Sequence, residues 1–163
     1  MVRENEIRDG ESAVALPPRY DVEVYFIGRI RTPWESRLMT PRQGRADGPV
    51  CHIEIFDPWV EALEGVTQFE RLEVLYWLHL SRRDLVHQSP ADDGTARGTF
   101  SLRSPVRPNP IGTQIVRLVG IEGNILSVRG MDCLDGTPLI DMKPDRTLFT
   151  PIAPPQPGDF ETG

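Results

Sequence analysis

Two segments rich in proline and glycine carry the side chains best suited to hold a small charged molecule. They are residues 103–112 (RSPVRPNPIG) and residues 132–138 (DCLDGTP). Their polar side chains belong to Arg103, Arg107, Asn109, Asp132 and Asp135. Each proline fixes its own φ and keeps the residue before it out of the helical region, so the first segment is rigid before any ligand binds. Guanidinium groups on a pre-ordered backbone suit the recognition of a carboxylate or a phosphate.

A third segment, residues 41–44 (PRQG), adds Arg42 and Gln43 to this set. A ligand that fits the whole set carries both signs of charge, with a carboxylate for arginine and an ammonium group or hydroxyls for aspartate. A structural alternative stays open, because proline clusters often only interrupt secondary structure and an Asp-Gly pair such as Asp135-Gly136 is a common turn. Paired carboxylates for glycoside chemistry are less favoured, because a sugar site brings more aromatic platforms.

The motifs of the commonest cofactor and hydrolase sites are missing from the sequence. It contains no GxGxxG run after a strand, no Walker loop, no GxSxG elbow and no HExxH pair. Cys51 and Cys133 form neither a disulfide framework nor a paired metal spacing, so we expect no metal. His79 follows an apolar run and is either a ligand contact or a satisfied core histidine.

Composition indicates one acidic domain with local basic regions. The chain has 163 residues and a net charge of −6, which argues against non-specific binding of nucleic acid by its whole surface. Arginines nevertheless cluster in residues 29–45 and 94–121, whereas acids cluster in residues 54–73. The arginine clusters predict a confined anion site. No signal peptide or membrane-length apolar run is present, so we expect a soluble cytoplasmic protein.

Hydrophobic periodicity predicts a mainly β fold, a small single-sheet antiparallel β-barrel-like domain with one or two short helices. The predicted strands span residues 22–30, 51–55, 72–80, 99–102, 113–121, 125–129 and 138–143. A short helix is predicted over 58–64, capped by Asp57 and closed by Gly65, and loops over 34–48 and 86–97. We expect a flexible leader at 1–19, one domain at 20–150 and a proline-rich tail at 151–163.

Four runs of the sequence resemble, in the same order, the signatures of the TsaA-like, TrmO-type methyltransferases. They are residues 26–33 (FIGRIRTP), 41–43 (PRQ), 103–112 (RSPVRPNPIG) and 134–144 (LDGTPLIDMKP). The resemblance covers residues 22–144 and implies a single-sheet β-barrel that binds S-adenosylmethionine without a Rossmann domain. It further implies a homodimer with the cofactor near the interface, and methylation of N6 on the threonylcarbamoyladenosine beside the anticodon of tRNA.

Residue by residue, the resemblance implies a cofactor site and an acceptor site. The cofactor residues would be Pro41, Arg42, Gln43, His79, Arg103, Asp132, Cys133, Leu134 and Asp135. The substrate residues would be Arg107, Asn109 and Lys143. Because methyl transfer to nitrogen depends mainly on alignment and electrostatics, no catalytic base is assigned.

The sequence departs from the family pattern at a few places. Leu80 stands where a glutamine is expected, and Asp145 stands where the family carries an aromatic residue that could stack on a base. Family members that act on tRNA often have a further C-terminal region, whereas this sequence ends at Gly163. Two alternatives therefore stay open: an S-adenosylmethionine-binding protein acting on another RNA or a small molecule, and a non-catalytic cofactor-binding module.

Overall fold

The computed structural model describes residues 6–148, and six strands in this range close into an antiparallel barrel. The strands of the chain are β1 (Ser12–Ala13), β2 (Gly28–Arg31), β3 (Val50–Ile55), β4 (Arg71–Trp77), β5 (Leu85–Gln88), β6 (Arg97–Gly98), β7 (Ile111–Glu122), β8 (Ile125–Arg129) and β9 (Thr137–Pro144). The order around the barrel is β2-β3-β8-β7-β4-β9, and β9 pairs with both β2 and β4 to close it. The predicted mainly β, barrel-like fold is confirmed.

Alternating apolar residues fill the barrel. In β3, Cys51 and Ile53 are buried and lie opposite Val128 and Leu126 of β8, which are also buried. Side chains on a strand alternate between faces, so this pairing sends both sets inward and leaves the intervening polar residues outside. A closed barrel leaves no sheet edge unpaired.

A small second sheet, β1-β5-β6, lies outside the barrel. The prediction of a loop over 86–97 is wrong at both ends, where β5 and β6 pair antiparallel. The prediction of a strand over 99–102 is also wrong, because Thr99–Ser101 forms a 3₁₀ turn. In that turn the Thr99 hydroxyl donates to the Leu85 carbonyl at 2.7 Å, and the buried Gln88 donates to the Thr99 hydroxyl at 2.9 Å. Polar side chains make these connections, so hydrophobic periodicity does not reveal them.

The first barrel strand is shorter than the predicted 22–30. Only Gly28–Arg31 pairs, while Val22 and Val24 lie outside any strand and are 77% and 53% exposed. The alternation of apolar residues extends through this segment, although no neighbouring strand pairs with it. Aromatic contacts hold part of it instead, with the Phe26 ring 6.5 Å from that of Trp77.

The predicted helix over 58–64 is replaced by two 3₁₀ turns, Val60–Leu63 and Val66–Gln68. The first turn has Trp59 at its N-cap position and no side-chain cap, so Asp57 does not cap it. Gly65 lies between the turns with a left-handed φ of 85°, the conformation predicted for it. A further 3₁₀ turn, Arg146–Leu148, follows β9.

β4 is buried on one face and half-buried on the other. Its buried residues are Leu72, Val74 and Tyr76. Beyond Trp77 the chain turns, with the His79 amide donating to the Trp77 carbonyl at 2.9 Å and the Ser81 amide to the Leu78 carbonyl at 3.0 Å. His79 and Leu80, predicted within the strand, therefore lie beyond its end.

The remaining predicted strands and the predicted loop over 34–48 are confirmed. The strands over 51–55, 113–121, 125–129 and 138–143 are present as β3, β7, β8 and β9, and 34–48 is irregular. Within the predicted leader, β1 pairs with β5. The predicted tail, 151–163, lies outside the described residues. Among residues 6–148, no helix has the length and apolar character needed to cross a membrane.

Candidate functional site

A cleft of about 1240 Å³ opens at the end of the barrel where β4 stops and β7 begins. Four irregular segments and the adjoining strand ends form its walls. They are residues 37–43 of the long loop, 78–81 after β4, 100–107 of the proline-rich loop and 132–134 before β9. The barrel thus fixes four loop segments that are far apart in sequence around one space.

All of the cofactor residues predicted from the sequence except Asp135 line this cleft. They are Pro41, Arg42, Gln43, His79, Arg103, Asp132, Cys133 and Leu134. Asp135 instead accepts a hydrogen bond from the Thr32 amide at 3.0 Å and pairs with Arg31 at 3.2 Å. Its place in the structure is that of the turn alternative, in which the Asp-Gly pair shapes the backbone beside the cleft.

Asp132 lies in the cleft beside Tyr76, a residue that sequence reasoning missed. The Tyr76 hydroxyl donates to Asp132 Oδ1 at 2.5 Å, and Tyr76 is 4% exposed. Burial raises the pKa of Asp132, while the bond from Tyr76 and the charge of Arg103 oppose that rise. One feature of the sequence indicated this contact. Tyr76 lies in a predicted apolar strand, and a buried tyrosine hydroxyl needs a hydrogen-bond partner.

The long loop is held at the cleft by two glycines in direct backbone contact. A Cβ on Gly44 would lie 1.7 Å from the Gly130 carbonyl oxygen, so no other residue fits there without displacing the backbone. The Gly44 backbone also acts on Asp132, where it favours the ionised carboxylate and lowers its pKa. Because Pro41, Arg42 and Gln43 immediately precede this contact, it sets their distance from the barrel.

The proline-rich loop is fixed by two arginines that point their donors at its backbone. Arg107 Nη1 donates to the carbonyls of Leu102 and Ser104, both at 3.0 Å. Arg83 donates to the Pro108 carbonyl at 2.5 Å and to Asn109 Oδ1 at 3.2 Å. Of the predicted substrate residues, Arg107 therefore lines the cleft while bracing its own loop, and Asn109 lies outside the lining.

Lys143, the third predicted substrate residue, lies on β9 away from the cleft and pairs with Asp141. The nearby Asp145, where the resemblance implies an aromatic residue, is 3% exposed and pairs with Arg71 at 3.1 Å. It also accepts a hydrogen bond from the Thr147 hydroxyl at 2.8 Å. Asp145 is thus a structural acid that joins the end of β9 to β4.

Arg42 and Arg103 differ from these bracing arginines. Both are exposed at the cleft, and within residues 6–148 no hydrogen bond or ion pair engages either guanidinium group. Cys133 is unsuited to be a nucleophile, because burial raises the pKa of its thiol to about 12. The described residues contain no group of three or more potential metal ligands. The cleft can therefore bind an anion at its arginines and a cation at Asp132, with apolar contacts from Leu78, Leu102 and Leu134.

Comparison with known proteins identifies the family. Residues 29–148 match the model of the tRNA-methyltransferase O N-terminal domain. The chain is 58% identical over 154 residues to the Rhizobium radiobacter protein named probable S-adenosyl-L-methionine-binding protein VirR, covering 94% of this chain and 88% of that one. It is 33% identical over 127 residues to the mouse tRNA (adenine(37)-N6)-methyltransferase, covering 72% of this chain and 29% of the mouse protein.

A solved structure gives the same result. The crystal structure of TrmO from Pseudomonas aeruginosa superimposes with a TM-score of 0.64 at 32% identity, and the match covers 87% of this chain. The match spans 64% of the length of that solved chain. Domain model, sequence and fold agree, and the chain belongs to the family of the tRNA-methyltransferase O N-terminal domain.

Proposed function

We propose that this protein is an S-adenosylmethionine-dependent methyltransferase that methylates N6 of threonylcarbamoyladenosine beside the tRNA anticodon. One observation carries the cofactor assignment: one cleft holds the half-buried Asp132 and two arginines that make no hydrogen bond or ion pair among residues 6–148. The acceptor assignment is supported by membership of the family and by similarity to the mouse tRNA (adenine(37)-N6)-methyltransferase.

The donor groups of the cleft fit the functional groups of S-adenosylmethionine. Arg42 and Arg103 would take its carboxylate, because a guanidinium fork matches a carboxylate in charge and geometry. Asp132 would take a cationic or hydroxyl group, which suits a carboxylate held in a partly buried place. The apolar side chains of Leu78, Leu102 and Leu134 would cover the adenine and keep water away from it.

When bound, S-adenosylmethionine supplies an electrophilic methyl group on a sulfonium. The contribution of this chain is to orient the cofactor and the acceptor amine, since effective alignment alone removes much of the barrier to a displacement. The cleft is open enough to admit a nucleoside beside the cofactor. Its charged residues lie where they can offset the changes of charge that accompany transfer.

Two experiments test this function. Calorimetric titration of the protein with S-adenosylmethionine should give one saturable site. Nucleoside analysis of tRNA from a deletion strain should show unmethylated threonylcarbamoyladenosine, and the methylated form should return with the wild-type gene. Binding of the cofactor with an unchanged nucleoside profile would reject the acceptor while leaving the methyl donor.

A second candidate acceptor, another RNA or a small molecule, is favoured by one observation. Asp145 occupies the place of the family's aromatic residue and is committed to Arg71, so that position offers no ring for stacking on a base. This candidate predicts cofactor binding without affinity for tRNA, even at low salt. A gel-shift titration with unmodified and modified tRNA distinguishes it from the first proposal.

We further propose a cytoplasmic homodimer. Large apolar side chains stand exposed beside the cleft, with Phe100 at 83% and Leu80 at 55% exposure, and both contribute to the cleft wall. A second copy of the chain would cover them and enclose the cofactor, which gives the exposed positions a function. A sedimentation measurement tests this assembly.

A further inference from the structure

We propose that Tyr76 is a positioning residue of the cofactor site, whose hydroxyl keeps the Asp132 carboxylate ionised and in one orientation in the cleft. This inference rests on the proposed function for the identity of the ligand. The arrangement of Tyr76 and Asp132 is independent of that ligand.

The hydrogen bond between the two side chains is short and shielded. Tyr76 Oη lies 2.5 Å from Asp132 Oδ1, within the range of a hydroxyl bonded to an ionised carboxylate. The tyrosine ring is buried in the barrel, so water reaches this bond from the cleft side only. Low polarity around the pair strengthens the bond and makes its loss costly.

The backbone around Tyr76 is shaped to place its ring. The register between β4 and β9 passes from Leu75 opposite Asp141 to Tyr76 opposite Leu139, which leaves Ile140 as the extra residue of a β-bulge. Bulges change the direction of side chains and are common beside functional sites. The irregularity coincides with the one β4 residue that reaches Asp132.

The facing strand leaves room for the ring by carrying glycine. Gly112 of β7 lies opposite Tyr76, and a Cβ there would be 2.3 Å from Tyr76 Cε2. The glycine that ends the proline-rich signature therefore allows the tyrosine to occupy its position. Bulge, glycine and hydrogen bond together define a specific place for the phenol.

Several groups act on the charge of Asp132. Tyr76, the Gly44 backbone and Arg103 all favour the ionised form, whereas burial opposes it. Cys133 is buried beside Asp132 and stays a thiol at neutral pH, and Arg42 and His79 line the same cleft. Removal of the Tyr76 hydroxyl takes away one of the stabilising contacts, so the pKa of Asp132 should rise further.

The test compares wild type with Tyr76→Phe, which keeps the ring and removes only the hydroxyl. Carbon-detected NMR of the side-chain carboxyls, with Asp132→Asn to assign the signal, follows protonation of Asp132 without any ligand. We expect the midpoint to move upward by about one pH unit, because a hydrogen bond to a charged group changes proton affinity by about tenfold. Tyr25→Phe is the matched control, since that ring is 77% exposed and packs on Trp59.

Calorimetry with S-adenosylmethionine supplies the functional arm. Tyr76→Phe should bind the cofactor about tenfold more weakly than the wild type. The pH at which affinity falls on acidification should rise by the same amount as the Asp132 midpoint. An Asp132 midpoint that is unchanged in Tyr76→Phe overturns the inference, whatever the cofactor affinity. A displaced midpoint in a protein whose wild type binds no S-adenosylmethionine rejects the proposed function but retains the control of Asp132 by Tyr76.

A second measurement covers the case in which Tyr76→Phe does not fold. In the wild-type protein, the Tyr76 hydroxyl proton should be visible as a slowly exchanging downfield NMR signal that disappears in Asp132→Ala, which removes the acceptor. A Tyr76 hydroxyl that exchanges freely with solvent in the wild type contradicts the hydrogen bond and overturns the inference.

Discussion

Arg42 and Arg103 line the cleft and make no hydrogen bond or ion pair among residues 6–148, whereas Arg83 and Arg107 hold backbone carbonyls. Truncation of an available arginine to alanine should weaken S-adenosylmethionine binding by about 1.5 to 3 kcal/mol, the value of a charged hydrogen bond. Protein stability should change little, because neither guanidinium group makes a hydrogen bond or ion pair among residues 6–148. Calorimetry at constant pH and salt measures the affinity.

Arg117→Ala is the control for these two substitutions. Arg117 is exposed, lies opposite Arg71 at the other end of the β4 and β7 pair, and does not line the cleft. The Arg117→Ala substitution removes one positive charge, as the other two do, so a long-range electrostatic effect would appear in all three variants. Full affinity in both Arg42→Ala and Arg103→Ala would contradict the site assignment.

Individual residues also show how far the candidate site could be predicted from the sequence. Arginine and aspartate on rigid loops could be identified from their type and spacing, and the family resemblance supplied the other residues. Nine of the twelve predicted residues line one cleft. The sequence could not distinguish a ligand-facing arginine from one that braces its own loop, because Arg103 and Arg107 occur in the same signature. That difference depends on where the Leu102 and Ser104 carbonyls point.

The pairing of β4 with β7 gives a prediction for Gly112. Gly112→Ala places a Cβ against the Tyr76 ring, and overpacking of this kind should lower the free energy of unfolding by about 1 to 3 kcal/mol. The matched control is Gly120→Ala, in the same strand, where a Cβ meets no atom within 4 Å. Urea denaturation followed by fluorescence compares the variants. Equal stability of the two alanine variants would contradict the contact.

The small sheet leads to a second prediction, which concerns Gln88 of β5. Its amide donates to the Thr99 hydroxyl at 2.9 Å and to the Val106 carbonyl at 2.7 Å, which ties β5 to the proline-rich loop. Gln88→Ala should cost about 1 to 3 kcal/mol of stability because it leaves buried polar atoms unpaired. It should also weaken S-adenosylmethionine binding, since Val106 lies between Arg103 and Arg107.

Thermal unfolding and calorimetry together measure both effects of Gln88→Ala. The neighbouring His87→Ala is the control, because His87 is exposed and its ring contacts Ser12 rather than the proline-rich loop. If Gln88→Ala loses stability but keeps full cofactor affinity, the small sheet supports the fold without positioning the site.

Elements were predictable where hydrophobic alternation coincided with pairing, as in β3 and β8. They were not predictable where polar groups made the connection, as at Gln88 and Thr99, or where alternation had no partner strand, as at Val22 and Val24. Periodicity describes which face of a strand is apolar, but pairing depends on the neighbour that the rest of the chain supplies.

The whole molecule carries a net charge of −6, so the proposed binding of tRNA depends on local groups around the cleft rather than on the overall field. A substitution of Phe100, which is exposed on the cleft wall, tests the proposed homodimer. If a second copy covers it, Phe100→Glu should raise the dissociation constant of the dimer by at least about tenfold, because burial of an unpaired charge is unfavourable. Sedimentation velocity over a range of concentrations measures the change.

Val22→Glu is the control for the dimer, since Val22 is 77% exposed and does not line the cleft. It introduces the same charge on a surface of similar exposure. A wild-type protein that sediments as a monomer at all concentrations would reject the dimer. Equal dissociation of both variants would place the interface elsewhere.

The contact between Gly44 and Gly130 has a consequence for how the chain can vary. A saturation library over residues 34–48 should recover substitutions freely at Leu38 and Met39, which are 82% and 61% exposed. It should recover none at Gly44, where even one methyl group would meet a peptide carbonyl. Although the segment is irregular throughout, its tolerance of substitution should therefore drop sharply at Gly44.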